Sequence, residues 1–206
     1  MVRLTGPGRG LAVLLLCSLG GVYAARSLSR LPDWHDSLTL YRRAVEDSPT
    51  APSLHNNLGV ALFQRGQIAE AAASYRRAVA LMPSLADGWR NLSTACEKLG
   101  RTEEAAEALE RAVALEPTDD RALASLAALL QRLGRYGEAI AASRRSVELA
   151  PDSALARLNL GVALAAAGRR EEAIPHLRRC LELDPGRENA RVALALCLRA
   201  GPDSRR

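Results

Sequence analysis

The sequence predicts an all-α chain built as a right-handed solenoid of helix pairs, and three observations carry that prediction. Alanine and leucine dominate while aromatics make up only 3% of the chain. Both favour helix, and the β-branched and aromatic residues that favour strands are thin. Pro49, Pro83, Pro117, Pro151 and Pro185 recur at intervals of 34 residues, as do Gly66, Gly100, Gly134 and Gly168. Ala71, Ala105, Ala139 and Ala173 form a third ladder of the same period. Chance does not interleave three such ladders. A unit of this length holds two antiparallel helices, and stacked units bury a continuous core.

Residues 1–30 stand apart from the repeats. Between Arg9 and Arg26 lie 16 uncharged residues. As a helix they would span about 24 Å, short against a bilayer core of about 30 Å but workable with arginines snorkelling at both ends. Two readings fit the run 11–25: a single-pass anchor, or a cleaved signal peptide with Val22-Tyr23-Ala24 approximating the small-residue cleavage site. Either predicts a membrane-associated or exported chain. Arg3 and Arg9 on one flank, against Arg26, Arg30, Arg42 and Arg43 on the other, leave the orientation open. Residues 31–51 read as the second helix of a half-repeat, with Tyr41, Ala44 and Pro49 in register.

Four full repeats follow at 52–85, 86–119, 120–153 and 154–187, then a capping helix over 188–200 and a polar tail, 201–206, expected to be disordered. The glycine at repeat position 15 ends the first helix, because glycine enters the left-handed region without strain. The alanine at position 20 sits where the paired helices cross most closely. The proline at position 32 stops the second helix. Leu58, Leu92, Leu126 and Leu160 at position 7, with Leu62, Cys96, Leu130 and Leu164 at position 11, make an i, i+4 apolar stripe. Position 8 is small throughout: Gly59, Ser93, Ala127, Gly161. Pro175 falls inside the second helix of the last repeat and predicts a bend there. The stretch Val192–Leu198 is apolar on every side. It is expected either to turn inward over Cys180 and Leu181 or to offer an end face for a homodimer.

On these ladders, residues 52–187 resemble tetratricopeptide repeats of the superhelical kind, as in "HNNLGVALFQRGQIAEAAASYRRAVALMP" at 55–83. The resemblance implies a concave groove built from the first helix of each repeat. Ser143 and Ser146 depart from it, standing where a large residue and alanine are usual. The junction is similar to another family. An apolar run followed by "RLPDWHDSLTLYRRAVEDSP" at 30–49 resembles the C-terminal end of multi-pass membrane glycosyltransferases, among them the transmembrane O-mannosyltransferases that act on cadherins. Trp34-His35-Asp36 with Leu38 and Tyr41 carry that likeness. It implies an accessory domain on the lumenal or periplasmic side. The multi-pass core and its acidic loop are missing, so no catalytic residue carries over.

The chain offers no constellation for chemistry. His35, His55 and His176 lie on different predicted helices, the four cysteines form no CxxC pair, and neither a phosphate-binding loop nor a nucleophile elbow occurs. No enzymatic activity, metal or cofactor is therefore expected. Cys96, Cys180 and Cys197 fall inside apolar patterns and read as small buried hydrophobes, with a Cys180–Cys197 bridge left open. The net charge of +5 rests on 28 basic residues, of which only Lys98 is lysine. The arginines alternate with glutamates rather than massing on one face, which argues against nucleic acid as a partner.

What remains is the groove. Repeat position 6 reads Asn57, Asn91, Ser125 and Asn159. Asparagine is a poor helix former, so its recurrence wants a reason. It serves either as a cap or intra-repeat hydrogen bond, or as a ladder of amides holding the backbone of an extended peptide. The second role resembles the asparagine ladder in the repeats of O-linked N-acetylglucosamine transferases. Around it Arg90, Lys98 and Arg121 supply charge, while Leu158 and Val162 supply apolar contact. A protein or extended-peptide partner is the expectation.

Overall fold

The computed structural model describes residues 37–199, and every regular element among them is an α-helix. The all-α expectation holds for this part of the chain. The run 11–25, Cys17, the Trp34-His35-Asp36 motif and the tail 201–206 lie outside the described residues. No helix among the described residues is long and apolar enough to cross a membrane.

The chain divides into two units, one ending at Pro49 and the other beginning at Thr50. In the first, α1 (Ser37–Asp47) is followed by one further helical bond, from the Ser48 N–H to the Ala44 carbonyl at 2.9 Å. The second unit holds four helix pairs and a single helix. The pairs are α2 (Pro52–Gln64) with α3 (Ile68–Leu81), α4 (Ala86–Lys98) with α5 (Thr102–Leu115), α6 (Asp120–Arg132) with α7 (Tyr136–Leu149), and α8 (Ala154–Ala166) with α9 (Arg170–Leu183). The last helix is α10 (Glu188–Arg199). Each helix packs on its partner and on the helix that follows, and α6, α8 and α10 also stack directly on one another.

The ladders set the punctuation. Gly66, Gly100, Gly134 and Gly168 all take φ between 72° and 79°. Nothing would meet a Cβ at any of the four, so the backbone alone demands glycine there. Each is followed by the same Schellman closure, in which an N–H donates to a carbonyl five residues back. Gln67 reaches Leu62 at 3.0 Å, Arg101 reaches Cys96 at 2.9 Å, Arg135 reaches Leu130 at 2.9 Å, and Arg169 reaches Leu164 at 2.8 Å. Pro83, Pro117, Pro151 and Pro185 follow the ends of the second helices by two residues. The four ladder alanines, Ala71, Ala105, Ala139 and Ala173, are fully buried.

The small residues at position 8 have a partner that periodicity alone does not reveal. A Cβ built on Gly59 would lie 2.5 Å from the Tyr75 ring, and one built on Gly161 would lie 2.6 Å from Leu177. Tyr75 and Leu177 both stand at position 24, on the facing helix. In the third repeat Ala127 stands at position 8 and Ser143 at position 24, so there the helices meet through two small side chains. Both Ser143 and Ser146 are fully buried. Ser146 donates its hydroxyl to the Asp120 carbonyl at 3.0 Å, whereas the Ser143 hydroxyl has no partner.

At Pro175, α9 runs on without a break from Arg170 to Leu183. The proline lies at an exposed position, where water can serve the carbonyl that loses its helical donor. Cys96, Cys180 and Cys197 are free and buried, so no Cys180–Cys197 bridge forms. Burial pushes the Cys96 thiol up to about 11 and raises the other two, which keeps all three protonated and unreactive at neutral pH. On α10, Ala190 and Cys197 are buried while Val192, Leu196 and Leu198 remain exposed. The helix therefore turns only one stripe inward.

Candidate functional site

Two of the hollows in the second unit bear on function. One, of about 440 Å³, lies between the first helices α4 and α6 and is walled by Arg90, Thr94, Glu97, Arg121 and Ser125. The other, of about 770 Å³, opens between the second helices α3 and α5 over Trp89. The polar groups around the larger hollow are mostly engaged. Trp89 donates its indole N–H to the Pro83 carbonyl at 2.9 Å, Arg76 binds Glu104, and Glu110 is held by Arg135 at 3.0 Å. Arg111 on its rim has no ionic partner among the described residues. Periodicity gave no warning of this hollow, because it comes from one tryptophan at a position where the later repeats carry Leu123 and Arg157.

Of the expected groove residues, Arg90, Arg121 and Ser125 line the smaller hollow, and the structure sorts the whole set into spent and unspent. Arg90 is spent. Its guanidinium binds Asp87, Glu116 and Asp119, the last at 2.8 Å, and the Glu116 hydrogen bond leads in raising its pKa above the ordinary arginine value. Asp119 is engaged on its other oxygen as the cap of α6, accepting from the Arg121 N–H at 3.1 Å and the Ala122 N–H at 3.0 Å. Arg90 thus ties the second repeat to the third.

The asparagines are partly spent. Asn91 donates to the Asn56 side-chain carbonyl at 3.0 Å, and Asn159 donates to the backbone carbonyl of Ala124 at 2.8 Å. Each bond crosses a repeat boundary, reaching back from position 6 to position 5 of the preceding repeat. Asn159 is only 7% exposed, and its own backbone carbonyl accepts from the Gln131 amide at 3.0 Å. This is neither a cap nor a bond within one repeat. It is a bond between repeats, which uses one N–H of each amide. Asn57, at the start of the row, is half-buried.

Lys98, Arg121 and Ser125 are unspent. All three side chains are exposed, and neither Lys98 nor Arg121 has an ionic partner among the described residues. Arg132 next to them is closed by Glu97 at 2.7 Å. Towards the C-terminal end the groove turns apolar. Leu158 is buried and Val162 half-buried, while Leu155, one turn earlier, is 43% exposed. No cluster of metal-ligating side chains occurs among the described residues.

The geometry of stacked helix pairs is matched at family level. The family model of the cilia and flagella-associated protein 70 C-terminal domain, of tetratricopeptide type, covers residues 22–205. The chain belongs to that family. No individual curated protein matches it. Among solved structures, this tetratricopeptide chain is similar to YrrB, described as a TPR protein with an unusual peptide-binding site. The identity is 26% and the TM-score 0.72, over 82% of this chain and 87% of that one. MamA is similar at 24% identity and a TM-score of 0.67, over 72% of this chain and 86% of that one. PilF of Pseudomonas aeruginosa follows at 23% and 0.60, over 72% and 68%. The last two likenesses concern the fold alone.

Proposed function

We propose that the chain is a protein–protein interaction module that holds an extended peptide segment along the first helices of its repeats. The observation that carries this reading is the pair of side chains the fold does not use, Arg121 and Ser125, lining a hollow of about 440 Å³, with Lys98 exposed at the end of α4. The peptide-binding site described for YrrB, a chain of the same architecture, supports it. A photo-crosslinking residue at position 125 should capture a partner segment, and one at Ala141 on the opposite helices should not. Capture from position 141 alone would move the site to the other face.

Membrane association through residues 11–25 belongs to the same proposal. The full chain should fractionate with membranes and become soluble when residues 1–30 are removed, with a mature N-terminus at Ala25 pointing to a cleaved signal. A full-length chain found wholly in the cytosol would refute it. An accessory role beside a membrane glycosyltransferase, with the repeats on the lumenal or periplasmic side, is the alternative that the junction suggests. Co-purification with such an enzyme is its test.

We also propose self-association at the C-terminal end. Leu198 is 53% exposed at repeat position 11, where the other repeats bury their residue. Light scattering should show a concentration-dependent dimer that Leu194→Glu with Leu198→Glu abolishes. A monomer at high concentration would reject it.

A further inference from the structure

Position 6 is asparagine in three repeats and serine only in the third, and the stack opens at that place. α2 packs on α4, α6 on α8 and α8 on α10, whereas α4 and α6 barely meet. Asn159 bridges its own repeat boundary by donating to the Ala124 carbonyl at 2.8 Å. Ser125, one bond shorter, makes no such link. The Arg90 carbonyl, which holds the place of Ala124 one repeat earlier, accepts instead from the Thr94 hydroxyl of its own helix at 3.0 Å. What is left between the two helices is the hollow of about 440 Å³. Among the polar residues lining it Ser93 is the most buried, at 4% exposure, and its hydroxyl makes no hydrogen bond among the described residues. A buried hydroxyl without a partner is costly, and this one borders open space. The Ser125 hydroxyl and the Arg121 guanidinium are equally unused. Glu97 gives one oxygen to Arg132, while its other oxygen accepts nothing among the described residues. Leu109 and Leu129 supply the apolar lining.

We infer that this hollow takes a carboxamide side chain, a glutamine or an asparagine, from the peptide held in the groove. This rests on the peptide-binding reading above and adds one determinant of which peptide is held. Four charged residues line the hollow, and Arg90 and Arg121 cancel Glu97 and Asp119. An incoming carboxylate would stand beside the free Glu97 oxygen, and an incoming ammonium beside the free Arg121, so either charge meets repulsion. An apolar side chain would suit Leu109 and Leu129 but would strip water from Ser93, Arg121 and Glu97 and give nothing back. A carboxamide is neutral and carries both kinds of group. Its oxygen can accept from Arg121 or Ser125, and its N–H groups can donate to Glu97 and Ser93. Because Ser93 is buried, a side chain rather than the peptide's own backbone is what enters.

Fluorescence anisotropy of the full chain with labelled nonapeptides tests this. The peptides are alanine and serine throughout except at the central residue, which is glutamine, glutamate, lysine or leucine. The glutamine peptide should bind about tenfold or more tighter than each of the other three. Ser125→Asn puts the row's own amide back at the hollow and should abolish that preference. Ser93→Ala removes the buried hydroxyl and should reduce it. Melting temperatures show whether both variants remain folded. Ser125 is exposed, so Ser125→Asn decides the matter alone if Ser93→Ala melts early. The inference is overturned by glutamate, lysine or leucine peptides that bind as well as glutamine, or by no binding at all. A glutamine preference that Ser125→Asn leaves intact overturns it too, since the amide would then sit elsewhere. Crosslinks from position 125 alongside any of these results leave the groove reading standing, whereas their absence removes both.

Discussion

Ser143 and Asn159 show how far a single polar atom inside the stack can tip stability. The Ser143 hydroxyl is fully buried and unpartnered, so it carries a desolvation penalty with no bond in return. Ser143→Ala should therefore raise stability by about 1 kcal/mol or more in urea unfolding. Loss of stability would show that the hydroxyl has a partner. Asn159 is the opposite case. Its amide serves the Ala124 carbonyl at 2.8 Å in a buried setting, so Asn159→Ala should cost about 1–3 kcal/mol. A peptide-holding asparagine would instead leave melting unchanged and weaken only partner capture. The residue types at position 6 were legible in the sequence. Their acceptors were not, because each lies 35 residues away on a helix whose contact depends on how the repeats stack.

At the scale of an element, the helix ends obey local chemistry and the helix contacts do not. Gly134 takes φ of 72° in open space, so Gly134→Ala should cost about 1–2 kcal/mol through the backbone alone, with no packing change in its spectrum. Gly161 makes the contrast. Its φ is ordinary, but an added Cβ would collide with Leu177, so Gly161→Ala should cost about 1–3 kcal/mol by overpacking. Combining it with Leu177→Ala should cost less than the sum of the two changes, because the second makes room for the first. Additive costs, measured by the same unfolding experiment, would show that the two residues do not share a contact.

Across the whole stack, ion pairs tie each repeat's second helix to the next: Arg76 with Glu104, Glu110 with Arg135, and Arg144 with Glu172. All are substantially exposed, so each contributes little and salt should weaken them. Their carboxylates still give the stack an acid limit. Burial pushes Glu104 up, but the Arg76 hydrogen bond and the charges of Arg76 and Arg101 outweigh it and hold the group below its ordinary value of 4.5. Glu138 beside Arg135 and Glu172 beside Arg169 are lowered as well, each chiefly by its arginine hydrogen bond. A carboxylate lowered by folding stabilises fully above its unfolded value and loses that contribution as pH falls through the folded one. Thermal melting should thus begin to fall as pH drops through 6.5, where burial and the charges of Arg157 and Arg144 keep His176 from protonating in the folded state, and fall further below 4.5 as these carboxylates protonate. A melting temperature unchanged at pH 3 would show that these pairs add nothing.

The bare sequence sets the helix pairs, their period and their stops, because glycine, alanine and proline act through backbone constraints that lie within one repeat. It also placed Lys98, Arg121 and the apolar rows on the groove, since a period of 34 carries each row from helix to helix. Which of those groups are free depends on how the repeats stack. Arg90 and Arg121 look alike in sequence, yet Arg90 meets Glu116 and Asp119 across a turn while Arg121 meets no carboxylate. Position 8 holds glycine against Tyr75 and Leu177, alanine in the repeat with Ser143 and serine in the repeat with Leu109, so what each repeat accepts depends on how its own two helices approach. The reason is the same in each case. Conformational preference is local and can be read along the chain, whereas the pairing of charges and the filling of space depend on distances between residues that only stacking brings together.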